Sequence, residues 1–293
     1  MELTKEFREK VRQVVVEASN NYSGSNSDYS KSLGINKTVY SRMNNGETER
    51  ILSDNMWLTL GRQFNVSLTE NKWKAVRTEV YNKIENDLRQ CKENAMSKML
   101  VDDCGIGKTF CAKHIARGMK DTFYIDCSQA TTKTLFIREL ARIVGVSSTG
   151  RYIDVLNNLK YCLNTVLIKP LIILDEAGDL DKDAFRVIKT LWNATEYNCG
   201  WYMMGAEDLE AMIKKGMKST KNSYKEIFDR YNQDFTRVIP IGREPRMDFY
   251  KNLITTVAKP NLNEPKDINR VVRKLVASEK SLRGLVEAIK KGA

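Results

Sequence analysis

At 293 residues the chain is long enough for two compact units, and its 42% hydrophobic content supplies a sizeable core. A formal charge of +11 and a pI near 9.2 favour polyanionic partners, nucleic acid first and an anionic membrane surface second. No apolar run approaches the ~20 residues that a bilayer-spanning helix needs. The N-terminal MELTKEFREKVRQ also lacks the apolar centre of a signal peptide, so a cytoplasmic protein with no membrane partner is expected. Six cysteines without a CxxC pair, beside a single histidine, argue against a zinc site and for free thiols; His114 is assigned no role.

In chain order, Leu3 to Ala18 carries apolar residues at helical spacing (Phe7, Val11, Val14, Val15, Ala18) and is followed by the polar loop NNYSGSNS. Ser27 or Asp28 is positioned to cap a short helix that ends at Leu33-Gly34. Asn36 caps a second short helix over 37–44, Asn45-Gly46 makes a turn, and Ile51 to Phe64 predicts a further helix. Two short helices across a tight glycine turn form a helix-turn-helix pattern. In such a module the second helix enters the major groove, so Asn36, Lys37, Thr38, Tyr40, Ser41 and Arg42 would face DNA. A small helical bundle that binds protein fits the same pattern. A polar helix over 69–94, with Trp73, Val76, Val80 and Ile84 on one face, is expected to link this unit, 1–68, to the rest of the chain.

The segment MLVDDCGIGKTFCAKHIA has the order a phosphate-binding loop requires: a short apolar strand, a glycine-rich turn, then a helix. The backbone of Cys104, Gly105, Ile106, Gly107, Lys108, Thr109 and Phe110 would cradle ATP phosphates. Lys108 would reach the β/γ-phosphates, and the Thr109 hydroxyl would bind Mg²⁺. The first glycine of the G-x-x-x-x-G-K-[ST] signature is replaced by Asp102, whose carboxylate repels a triphosphate unless it points away. Pro170 to Asp179, PLIILDEAGD, supplies the complement: a continuous apolar strand with Asp175 at its carboxyl end as the second metal ligand, and Glu176 to polarise water. Strands are also predicted at 123–126 and 200–205, with helices over 134–144, 153–163 and 184–195. This alternation implies an α/β P-loop fold with a parallel three-layer sheet.

Together these features resemble the AAA+ ATPases that regulate DNA transposition, the family of the phage Mu B protein. The residues that carry the likeness are the N-terminal helix-turn-helix, GIGKT, LIILDEAGDL, WYMMGAEDL, EIFDRY and a helical C-terminal segment. The resemblance implies an N-terminal helix-turn-helix domain (1–68), a helical linker (69–94), an AAA+ core (95–242) and a small C-terminal helical lid (243–293). It implies that Arg230 is an arginine finger reaching a neighbouring subunit's ATP. It also makes Arg283 a sensor 2 residue and puts Ala206 in the sensor 1 place, where alanine has no side-chain hydrogen bond to offer. It further implies a homo-oligomer, a filament or a ring, on double-stranded DNA, with little sequence preference, that delivers target DNA to a transposase. Lys214, Lys215, Lys218, Lys221 and Lys225 form a basic cluster suited to phosphates, with Lys133 and Arg151 as further candidates beside Lys37, Thr38 and Arg42. A repressor with a nucleotide switch, a helicase loader or replication initiator, and a nucleotide-binding scaffold are the competing readings.

Overall fold

A computed structural model describes residues 3–22, 24–64, 66, 68, 74–218, 223–262, 265–278 and 280–290. Two residues singled out from the sequence, Trp73 and Lys221, lie outside them.

The N-terminal unit holds α1 (Lys5–Ala18), α2 (Asn26–Ser32), α3 (Lys37–Asn44) and α4 (Asp54–Gln63). Its core is Val11, Val15, Tyr29, Leu33, Tyr40, Met43, Trp57 and Leu60. Each helix starts where a short polar side chain can accept an otherwise unpaired N–H. Asn36 does this for α3, its Oδ1 accepting from Thr38 N–H at 2.8 Å. Gly34, at φ +69°, makes the left-handed turn between α2 and α3. The cap of α2 is Ser25, whose hydroxyl accepts from Asp28 N–H, rather than Ser27 or Asp28. Helix α4 begins three residues later than the apolar spacing predicts, because Ser53 caps it. Tyr40 does not face outward: it is buried and meets Tyr29 edge-on.

The α/β core contains a four-stranded parallel sheet in the order β1 (Ser97–Val101), β4 (Gly200–Gly205), β3 (Leu171–Asp175), β2 (Thr122–Asp126). Thr236 extends it beyond β1 by a single parallel bridge to Leu100. Because side chains alternate along a strand, the sheet feeds two cores. Leu100, Leu171, Ile173, Tyr202 and Met204 face α5 (Glu79–Asn94), α6 (Lys108–Arg117) and the start of α12 (Arg243–Asn261). Met99, Val101, Ile172, Leu174, Trp201 and Met203 face α7 (Lys133–Val144), α8 (Tyr152–Tyr161), α9 (Lys182–Thr195), α10 (Glu207–Met217) and α11 (Ser223–Arg230).

The helix expected over 69–94 starts only at Glu79, where the Thr78 hydroxyl accepts from Tyr81 N–H, so Val76 precedes it. Val80, Ile84, Leu88 and Cys91 of α5 are fully buried in the core on its side of the sheet. Helix α8 ends at Tyr161 and opens into a wider π turn over 162–166.

The C-terminal part of α12 packs with α13 (Pro265–Ala277) and α14 (Leu282–Lys290) around Ile254, Val257, Val271, Leu275 and Leu285. At the opposite end, the N-terminal unit docks on the core. Asp121 N–H donates to Asn21 O (2.9 Å) and the Tyr22 hydroxyl to Val144 O (3.1 Å). Gly145, at φ +93°, lies so close that a Cβ there would sit 2.6 Å from the Tyr22 hydroxyl and 3.0 Å from Ser32 Cβ. Among the described residues, no helix is long and apolar enough to cross a membrane.

Candidate nucleotide site

The site forms at the carboxyl ends of β1, β3 and β4, where open parallel sheets bind ligands. The loop from Asp102 to Gly107 leaves β1 and enters α6. Gly105 (φ +79°) and Gly107 (φ +99°) take the left-handed conformations that its tight path demands. Lys108 is buried in the first turn of α6, and its ammonium donates to the carbonyls of Asp102 (2.6 Å) and Asp103 (2.7 Å). Burial pushes its pKa below the ordinary lysine value, against the upward pull of nearby Cys104 and the acids around it.

Asp175, at the end of β3, is 1% exposed. The Tyr124 hydroxyl donates to its Oδ2 at 2.5 Å and Glu176 N–H to its Oδ1 at 3.0 Å, with Thr109 beside the carboxylate. Burial raises the Asp175 pKa, and these hydrogen bonds pull it back. Glu176 stands in a left-handed conformation (φ +49°), a local strain of the kind that collects at functional positions. Its pKa is raised first by burial, then by the charge of Asp175. Asp208, at the start of α10, adds to that field and leans against the 177–179 turn, where a Cβ on Gly178 would meet its Oδ2 at 2.5 Å. Ala206 begins α10 with no side-chain cap, and Glu207 beside it is exposed.

The loop entry is tied down. The carboxylate of Asp102 is buried and accepts three backbone N–H groups: Val238 (2.5 Å) and Ile239 (3.1 Å) on Oδ2, and Asp103 (2.9 Å) on Oδ1. Asp103 accepts from Arg246 and from the Tyr250 hydroxyl, both on α12. Leu282 N–H donates to Gly105 O at 3.2 Å, and a Cβ on Gly105 would collide with Ser281 and approach Cγ of Arg283 at 3.6 Å. Between the loop and the C-terminal helices lies a cavity of about 580 Å³, whose lining includes Asp103, Cys104, Met247, Tyr250, Ser281 and Arg283. Its size and mixed apolar and cationic walls fall within the range of small-molecule sites.

Residues 92–213 match the family model of the AAA domain. The match covers less than half of the chain. It spans α5 to α10 and therefore includes Lys108, Thr109, Asp175 and Glu176; an AAA domain implies nucleotide binding. No curated protein matches the sequence. Among solved structures, Cdc6p from Pyrobaculum aerophilum is similar at 16% identity and a TM-score of 0.49, over 67% of this chain and 53% of that one. NtrX from Brucella abortus, solved in complex with ATP, is similar at 14% identity and a TM-score of 0.38, over 82% of this chain and 60% of that one. The chain thus spans little more than half the length of these two proteins.

The other sequence candidates lie on helices or at their ends. Arg230 closes α11, where its guanidinium donates to Asn193 Oδ1 (2.8 Å) and Glu226 O (2.6 Å) and lies 5.1 Å from the Trp192 ring centre. Phe110 is exposed and stacks on His114. Lys133 sits over the Tyr152 ring, Arg151 pairs with Asp154, Lys214 with Glu210, and Arg42 with Glu47. Lys37, Thr38, Lys215, Lys218 and Lys225 are exposed. Sequence reasoning missed Tyr124, Asp103, Asp208, Arg246 and Tyr250. Only the polar step in the FYID strand, which sets Tyr124 apart from Phe123 and Ile125, signalled any of them.

Proposed function

We propose that this chain is a Mg²⁺-dependent ATP hydrolase that assembles on duplex DNA in its ATP state, with little sequence preference, and presents that DNA to a transposase. The observation that carries the ATPase reading is the convergence of Lys108, Thr109, Asp175 and Glu176 at the strand ends. A hydroxyl beside a buried carboxylate is an all-oxygen donor pair, the chemistry that suits Mg²⁺. Thr109 and Asp175 would hold the ion, which supplies charge neutralisation at the β- and γ-phosphates.

The chain's own groups divide the rest of the work. The loop N–H groups orient the phosphates, and Lys108 exchanges its two carbonyl partners for phosphate oxygens. Glu176 accepts a proton from the attacking water; a carboxylate with a raised pKa is the better base for that step. The cavity beside Asp103 and Tyr250 takes the base, with Arg283 at its rim. Ala206 contributes no hydrogen bond toward the γ-phosphate, which favours slow turnover. Arg230 serves a neighbouring subunit's nucleotide.

DNA binding is supported by the +11 charge and by the exposed Lys37, Thr38, Lys215 and Lys218. The transposase rests on the family resemblance of the motif set. Lys133, Arg151, Lys214 and Arg42 have local partners to give up before they can serve phosphates, which ranks them behind the exposed residues.

The test is fluorescence anisotropy on a random-sequence duplex with ATP, with ADP and without nucleotide. Binding that needs ATP, ignores sequence and disappears in Lys108→Ala is expected. Nucleotide-indifferent binding to one preferred sequence would instead favour a repressor working through α3, and co-purification with a helicase would favour a loader. Glu176→Gln should keep ATP binding and lower turnover at least ~100-fold in a phosphate-release assay.

A further inference from the structure

Tyr124 projects from β2 on the same face as Asp175 of β3, two residues out of register, since Asp126 is the partner that pairs with Asp175. Its hydroxyl is 2.5 Å from Asp175 Oδ2. Across the ring, Lys113 of α6 holds its ammonium 5.0 Å from the ring centre. Lys113 lies one helical turn beyond Thr109, which stands beside Asp175. Tyr124 therefore links α6, through Lys113, to the carboxylate at the end of β3.

The donors on the carboxylate are not equivalent. The Thr109 hydroxyl is needed as a metal ligand in the proposed function, so it is not free to hold Asp175 as well. Glu176 N–H belongs to the strained residue next in the chain. The Tyr124 phenol is the side-chain donor that holds Asp175 without being wanted elsewhere. Groups that orient a ligating carboxylate in this way typically change metal affinity ten- to a hundred-fold when removed.

The geometry points to Tyr124 as a positioning residue: its hydroxyl fixes the Asp175 carboxylate toward Mg²⁺ and thereby sets the divalent-ion requirement of the nucleotide complex. The inference rests on the proposed function. It goes further in giving a metal-site role to a β2 residue outside both nucleotide motifs.

The experiment uses the full chain and its Tyr124→Phe variant, which keeps the ring under Lys113. A fluorescent ATP analogue is titrated in EDTA, then at rising Mg²⁺, and Mn²⁺ binding to the nucleotide complex is followed by electron paramagnetic resonance. The expected result is unchanged nucleotide affinity in EDTA, with half-saturating Mg²⁺ and the Mn²⁺ dissociation constant raised about tenfold or more. Unchanged metal dependence overturns the inference. Equal loss of nucleotide binding with and without metal also overturns it, because the hydroxyl would then be supporting the fold alone. A wild-type chain that binds no ATP, or binds it with no response to Mg²⁺, removes the proposed function and the inference with it. Tyr124→Leu, which also loses the ring beneath Lys113, separates the two parts of the side chain: the metal effect should match that of Tyr124→Phe, with an added loss of thermal stability.

Discussion

The two ends of the phosphate loop are built on different principles. At its exit, Gly107, Lys108 and Thr109 follow the general signature; the Lys108 ammonium donates to two carbonyls of the loop, and Thr109 stands beside Asp175. At its entry, Asp102 departs from the signature, and both it and Asp103 are held by backbone or side chains from far along the chain. The exit is organised for a ligand and the entry for the protein itself. A carboxylate at a phosphate loop is tolerable because its charge is spent on N–H donors from the 238–239 segment.

This contrast can be broken by substitution. Lys108→Ala should weaken ATP binding by about 100-fold, some ~3 kcal/mol, as expected when one member of a buried charged contact is removed. Its fold, followed by circular dichroism, should persist. Asp102→Ala should do the reverse. Three backbone donors lose their acceptor, and at ~1–3 kcal/mol for an orphaned buried group the loss of stability should reach about 3 kcal/mol in urea unfolding. Asp102→Asn, which keeps one acceptor oxygen, should recover about half. A folded, stable Asp102→Ala that merely binds ATP poorly would erase the distinction between the two ends.

A smaller effect is expected from Asp103→Asn, which weakens the tie to Arg246 and Tyr250. Hydrogen exchange should speed up in the first turns of α12 while leaving β1 and β3 protected. The smallest effect concerns Glu210, whose pKa is lowered by Lys214 first and then by Arg237. A depressed carboxylate stabilises the fold above its unfolded pKa, and that contribution fades as pH falls through the folded value. Glu210→Gln should therefore cost less than ~1 kcal/mol at neutral pH and nothing in acid, where both proteins carry an uncharged side chain. If Lys214 then binds DNA more tightly in the variant, the ion pair competes with phosphate.

The same contrast explains what could be read in advance. Lys108, Thr109, Asp175 and Glu176 were legible because a strand, a turn and a helix start fix their positions within a few residues. The parallel sheet was legible from its apolar runs, such as Leu171 to Leu174. Asp103's partners were not, because Arg246 and Tyr250 lie 143 and 147 positions away in sequence. Tyr124 was hidden differently: a tyrosine in an apolar strand has the composition of an ordinary core residue, and only strand register shows that it meets Asp175. The burial of Tyr40 was hidden because spacing along α3 alone leaves it at the surface, whereas Tyr29 of α2 covers it. The start of α5 was hidden because the polar pattern runs on through the point where Thr78 caps the helix.

Gly145 carries a consequence for how the molecule can be taken apart. Its missing side chain is the space into which Tyr22 and Ser32 fit, with the Asp28 carbonyl 3.2 Å from where a Cβ would be. One added methyl group would act as a wedge, driven between the N-terminal helices and α7 at the far side of the core from the nucleotide loop. That wedge would load the Asn21–Asp121 and Tyr22–Val144 hydrogen bonds that flank it, at a joint whose closest approach leaves no room for a single carbon atom.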